Sequence, residues 1–563
     1  MDRPAKDPEW GPGIREYPRT FRSRLQSAFE RYIDQEEVMI NASRDILPLS
    51  LLETTLAVGE NMHVVGFQTG DQIFPALMDT IRKYTAICNG RIFDHYYGFL
   101  CIRHLVRMVC IGTLTQCGMF DRVLDELDHH MPWTSLLGVL SDATLMYMQA
   151  ILLKHDHENC GPAFTEGPLF LEATALDADD AKFLLGLLWK DRAPIILLRT
   201  QDALPGLPAL ILVLSQMIAR TPSHRKINPA WLCIQDISLR CYLGCLKDTE
   251  QTDEERYVLH RINQFIVNLF DNQNVSIMDT YEAWLAVDDR DARLVVNTYT
   301  NLTKPGYPKT PLRLDFIMLR WVFGLLRNPQ TRRPALDELA PIVFKTALAL
   351  LHGRIDGEAE ELMDRQTRSL IRVFLHDILD QISAFDSSKP RREVRDIFWI
   401  TLIDSDIFGA MGRILVMITR ELDKPRGWGP FLDGIIAFGK LVNRRRLPAK
   451  YTESMQYEWS KLMIYMNHLG SGVIVPSEIP RYLFENARNT WFLLAEYPPR
   501  DDTFKRLTCA YPRCADPDII THTYEIKHIC GRCGLAQYCS PRCQHMHWKL
   551  NTWESHSPDC WLN

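Results

Sequence analysis

Leu314-Asp-Phe-Ile-Met-Leu-Arg-Trp-Val-Phe-Gly-Leu-Leu326 decides the fold class, and Asn328-Pro329 closes it. Its apolar residues return at the three- and four-residue steps that place side chains on one face of an α-helix. Proline then ends the run, because it lacks an N–H and disfavours helical backbone in the residue before it. The same reading extends outward. Ile371, Leu375, Ile378, Leu379 and Ile382 follow steps of four and three on one helix face. Asp177-Ala-Asp-Asp180 places carboxylates at the positive end of a helix dipole, ahead of Phe183, Leu184, Leu187 and Leu188. From about residue 21 to 498 such segments follow one another between Pro, Gly and polar breaks, and strand alternation is scarce. The sequence predicts a mainly α protein, a helical array on a HEAT- or armadillo-like plan, although no fixed repeat period is visible.

The chain has 563 residues, a formal net charge of −6, 46% apolar and 24% charged residues. That length suggests three or four domains, and the composition is that of a globular protein with a large core. Mild acidity argues against bulk attraction to nucleic acid or a membrane surface. Residues 1–20 are rich in Pro and Gly and are expected to be loose; they contain no apolar targeting core. Leu204–Ile218 is the most apolar run, but Pro205 and Pro208 interrupt it. It reads as a loop leading into a buried helix, too short to span a bilayer. Glu496-Tyr-Pro-Pro-Arg-Asp-Asp502 is a stiff polar link that divides the helical body from residues 505–563. A softer break is expected near 160–180, around Cys160-Gly-Pro.

Seven of the 15 cysteines fall between Cys509 and Asn563, and none lies between Cys245 and Cys509. The order is Cys509-x4-Cys514, Cys530-x2-Cys533, Cys539-x3-Cys543 and His556-x3-Cys560. Zinc takes four tetrahedral thiolate or imidazole ligands, so eight such ligands close two sites with no open position. Closed sites hold a fold together and do not activate water. Cys530-Gly-Arg-Cys533 is a tight turn, with Gly531 and Gly534 supplying backbone freedom. At Cys539-Ser-Pro-Arg-Cys543, Ser540 suits a helix N-cap and Pro541 the first helical position. The helix is expected to run from Pro541 to His556, with His556 and Cys560 on one face. Without a leader sequence, and with no framework spacing among the first eight cysteines, a reducing, intracellular compartment is expected, nucleus or cytoplasm.

Tyr538-Cys539-Ser540-x-x-Cys543-Gln544-x-x-His547-Trp548, together with Trp553-x-x-His556-x-x-x-Cys560, resembles the MYND-type zinc finger over about the last tenth of the chain. The resemblance implies an interleaved cross-brace. Cys509, Cys514, Cys539 and Cys543 would bind one zinc; Cys530, Cys533, His556 and Cys560 would bind the other. The first pair has four intervening residues where the family has two. A second Trp stretches the spacing before His556 by about one helical turn, leaving His545 and His547 as alternatives to it. The family consists of interaction modules for short proline-containing peptides, and Gln544 and Trp548 match its groove positions. Trp offers a flat platform for a proline ring, and Gln hydrogen-bonds an extended backbone. Packing within the small domain is the competing role for Trp548. Between Asp501 and Asn563, seven Lys and Arg face seven Asp and Glu. Seven thiolates against two Zn²⁺ would leave the module about three units negative, which argues against direct nucleic-acid binding.

The remaining candidates read as structure. His155-Asp-His157-Glu-Asn-Cys160 lacks a partner pair and reads as a hydrated loop after a helix. Cys241 and Cys245, with Cys233 upstream, fit a buried helix face. His129-His130 reads as a solvated C-terminal turn after an acidic helix, and Asp288-Asp-Arg-Asp291 and Glu358-Ala-Glu-Glu361 read as exposed faces or helix starts. Arg444-Arg-Arg446 is a weak basic cluster. No phosphate-binding loop, GxGxxG, GxSxG or HExxH motif occurs, nor an Asn-His-Ser-Cys motif of the SET methyltransferases. The expected function is that of a zinc-binding adaptor that takes a protein or a proline-containing peptide as partner. The alternatives are an enzyme, for example a methyltransferase, in the helical body, and a finger that merely caps that body.

Overall fold

The computed structural model describes residues 6–7, 9–34, 46–59, 73–126, 136–156, 177–220, 230–245, 253–272, 288–304, 311–326, 334–357, 365–419, 428–443 and 489–491. In the C-terminal segment it describes 504–506, 511, 520–522, 528–530, 537–538 and 540–549. The protein is mainly α, with twenty α-helices and three two-stranded antiparallel ribbons among these residues.

The chain divides into two compact units, Met1–Arg332 and Arg333–Asn563. In the first, β1 (Lys6–Asp7) and β2 (Gly11–Pro12) precede α1 (Tyr17–Asp34), α2 (Leu49–Gly59), α3 (Ile73–Ile87), α4 (Tyr96–Gln116), α5 (Phe120–Glu126) and α6 (Leu136–Asp156). Then come α7 (Ala178–Lys190), α8 (Ile195–Thr200), α9 (Leu207–Arg220), α10 (Ala230–Gly244), α11 (Asp253–Asn272), α12 (Asp289–Thr300) and α13 (Leu312–Leu326). In the second unit, α14 (Pro334–Asp337), α15 (Ala340–Gly357), α16 (Arg365–Ser387), α17 (Arg392–Asp404), α18 (Ile407–Thr419) and α19 (Trp428–Asn443) come first. They are followed by β3 (Phe504–Arg506), β4 (Ile520–His522), β5 (His528–Ile529), β6 (Gln537–Tyr538) and α20 (Pro541–Lys549).

Helix α10 is the hub of the first unit and packs against α7, α8, α9, α11 and α12. Helix α4 packs against α2, α3, α5, α6 and α9. It is long and apolar enough to cross a membrane, yet 83% of its apolar window is buried inside the protein. Being covered on every side, it must pair its polar side chains internally. Arg103 donates to the Ala203 carbonyl (2.7 Å), Arg107 donates to that of Leu56 (3.1 Å), and His104 Nε2 lies 3.0 Å from the Leu52 oxygen. In the second unit α15 packs against α16, α17 and α18, and α16 also packs against α19.

Several expectations hold at the residue level. Leu314, Met318, Trp321 and Val322 of α13 are buried, as are Ile371, Leu375, Ile378, Leu379 and Ile382 of α16. Asp177 caps α7 by accepting from the amides of Asp179 (2.8 Å) and Asp180 (2.7 Å). The Leu204–Ile218 run turns at Gly206, with φ of +77°, into the buried helix α9. The opening segment differs from its expectation. Trp10 is buried, with its ring 5.2 Å from that of Tyr84 and 5.0 Å from that of Tyr97. Tyr17 is sealed inside and donates to the Phe93 carbonyl at 2.9 Å. Two large aromatics outweigh the proline and glycine around them, because burying each removes far more apolar area from water than a short loop can expose. His155 and Asp156 also differ: they belong to the last turn of α6 rather than to a loop.

Candidate metal centre

Two of the eight candidate zinc ligands, Cys530 and Cys543, lie within the described residues. Cys509, Cys514, Cys533, Cys539, His556 and Cys560 lie outside them, as do His157, Cys160, Arg444–Arg446, Glu358, Glu361, His129 and His130. The expected link at 496–502 and most of the softer break near 160–180 also lie outside. Cys530 directly follows β5, which pairs with β6 in the register His528↔Tyr538 and Ile529↔Gln537. Its thiol is buried and outside any disulfide.

Helix α20 begins as its sequence requires. Ser540 accepts from the amide of Cys543 through its hydroxyl (3.2 Å) and from that of Gln544 through its carbonyl (3.2 Å). Pro541 takes the first helical position, where its missing N–H costs nothing. Cys543 and His547 are four apart and both buried, and α20 packs against β5 and β6. The Tyr538 hydroxyl lies 3.1 Å from Nδ1 of His547, and the Tyr511 ring lies 6.3 Å from the His547 ring. Of the two alternatives to His556, His545 is therefore exposed, whereas His547 has one ring nitrogen engaged by a tyrosine. Gln544 is half-buried and Trp548, one turn on, keeps 38% of its surface exposed.

Among the described residues no three His, Cys, Asp or Glu side chains converge as a metal site. The donor chemistry of the two described cysteines still suits zinc. Both are small, buried thiols, one after a ribbon strand and one in the first turn of a helix, and thiolate is a preferred zinc ligand.

Arg542, between the N-cap and Cys543, was not singled out by sequence, and among the described residues it sits in a buried polar cluster of the second unit. Its Nη2 lies 2.8 Å from Asp356 Oδ2, and its Nη1 lies 2.7 Å from Asp406 Oδ2 and 3.0 Å from His352 Nε2. Arg413 of α18 holds the other Asp356 oxygen at 2.5 Å. Asp406 sits between α17 and α18 with φ of +57°, and its Oδ1 accepts from the Gly409 amide at 3.0 Å. Burial, with Arg542 and Arg413 nearby, holds the His352 imidazole down to about 4 against the pull of Asp406. For Asp406 burial works in the opposite sense, but Arg542, His352 and Arg413 hold its carboxyl below the usual range. Burial likewise opposes the Arg413 charge, and Asp356 and Asp406 more than restore it. No local pattern could have revealed this site, because its members come from segments up to 190 residues apart.

Other expected core groups are ionically tied. Cys241 and Cys245 are buried, as expected, while Cys233 is only partly so. Cys245 donates to Glu255 (3.1 Å), which also pairs with Arg199. Asp288 caps α12, as a helix start should, but Asp291 is buried rather than solvated. No protein-family model, no curated protein and no solved structure matches this chain.

Proposed function

We propose that residues 505–563 form a two-zinc, MYND-like finger that acts as an interaction module for a proline-containing peptide, carried by a helical body on a HEAT- or armadillo-like plan. The zinc ligands are those of the spacing: Cys509, Cys514, Cys539 and Cys543 in one site, Cys530, Cys533, His556 and Cys560 in the other. The observation that carries the reading is the division of labour along α20. Cys543 and His547 are buried, while Trp548 stands out with Gln544 one turn before it. A large aromatic left exposed beside an amide on a short helix suits recognition of an extended proline-containing chain.

Zinc per chain is the direct test, measured on the purified protein before and after Cys530→Ser. About two ions in the parent and fewer in the variant are expected from eight ligands. A chain with no zinc would overturn the reading. With zinc established, a peptide array should show selective binding to proline-containing sequences that is lost in Trp548→Ala and Gln544→Ala.

A further inference from the structure

We propose that Arg542 is a latch that fixes α20, and the module it belongs to, against α15 and α18 of the same unit. The contact is specific in form. A guanidinium presents its donors in a rigid planar fork, and here the two terminal nitrogens meet carboxylates from two different segments, Asp356 and Asp406. The Arg542 side chain retains only 18% exposure, so the contact is largely withdrawn from water.

The receptor is built independently of Arg542. Asp356 is fixed by Arg413. Asp406 is fixed by its left-handed backbone, which aspartate tolerates better than most residues, and by the Gly409 amide. Gly409 leaves the space that this requires, since a Cβ there would lie 2.4 Å from both Asp406 oxygens. Two guanidiniums face two carboxylates, so the cluster balances only while Arg542 is present. Its removal would leave a partly buried carboxylate without its counter-charge.

The latch leaves the opposite work of α20 undisturbed. Arg542 faces the helices, His547 meets Tyr538 of β6, and Trp548 remains exposed. Helix α20 is therefore docked on its unit with a fixed presentation. This inference does not depend on zinc or on the peptide.

Hydrogen–deuterium exchange on the full chain tests it. Arg542→Ala should speed exchange of the α20 amides, and of the Gly409 amide at the start of α18, by about tenfold or more. Helices of the first unit should be unchanged, and Arg542→Lys should fail to restore protection because an ammonium cannot span both carboxylates. Gly409→Ala displaces the Asp406 carboxylate from outside the module, and it should loosen α20 in the same direction. If Arg542→Ala does not fold, Asp406→Asn and Gly409→Ala carry the test. Unchanged α20 exchange in the folded variants would overturn the latch, whatever their zinc content.

Discussion

Arg240 and Asp291 meet in a two-pronged ion pair across 51 residues of sequence, Nη1 to Oδ1 at 2.5 Å and Nη2 to Oδ2 at 2.9 Å. Both side chains are buried, 0% and 1% exposed. Asp236 accepts from the other side of Arg240 at 3.2 Å and from the Trp321 indole at 2.7 Å, and it forms an ion pair with Arg192 at 2.6 Å. The network ties α10, α12 and α13 together with two arginines balanced by two aspartates. Asp291→Asn should lower stability by about 3–5 kcal/mol, because it leaves Arg240 buried with half its counter-charge. Urea unfolding of variant and parent would measure the difference.

Gly98 illustrates a steric requirement. A Cβ on it would lie 1.9 Å from the Ile92 carbonyl oxygen and 2.7 Å from the Tyr84 ring. Gly98→Ala should destabilise by about 1–3 kcal/mol through forced displacement of that backbone. Gly186→Ala, where nothing lies within 4 Å, should be neutral or stabilising by about 0.5–1 kcal/mol. Thermal melts of the two variants should shift in opposite directions or differ clearly in size.

Asp142 gives a pH signature. Burial raises its carboxyl to about 7, with Glu255, Glu254 and Asp202 adding to the rise and Arg199 opposing it. The folded state thus holds a proton that the unfolded chain releases near 3.9. Stability from this group is complete below about 4 and falls as pH rises to about 7. Asp142→Asn should therefore gain on the parent between pH 5 and 8, read as a widening difference in Tm.

His104 acts in the other direction. Burial, followed by Arg107, lowers it to about 3, so it stays neutral in the folded protein. An imidazole protonated on Nε2 satisfies both neighbours, donating to the Leu52 carbonyl and accepting from Arg107 on Nδ1 (3.1 Å). Its contribution is present above pH 6.5 and lost as pH falls towards 3, because the unfolded chain takes up the proton first. His104→Gln should flatten the acid limb of the stability profile.

The helix cap at Asp177 offers a smaller, local test. Asp177→Ala removes the acceptor for two amides and should cost about 1 kcal/mol, seen as a modest loss in Tm.

The helical class was legible because periodicity and end signals are local. Steps of three and four marked the buried faces of α13 and α16, and Asp177 and Ser540 marked helix starts that the structure reproduces. The opening segment was misread because proline and glycine content says nothing of where Trp10 and Tyr17 find their partners. Asp288-Asp-Arg-Asp291 is the helix start that its sequence offers, but the burial of Asp291 is not legible there, because the charge that neutralises it sits on another helix.

The sequence by itself determined which segments are helices, where several begin, and an ordered set of eight candidate zinc ligands. Those are properties of neighbours a few residues apart. Only the tertiary structure decided which charges are buried together, Arg240 with Asp291 and Arg542 with Asp356 and Asp406, and that Trp548 stays exposed while Cys543 does not. A charge finds its partner through the packing of whole helices, and that packing brings together residues that no sequence window contains.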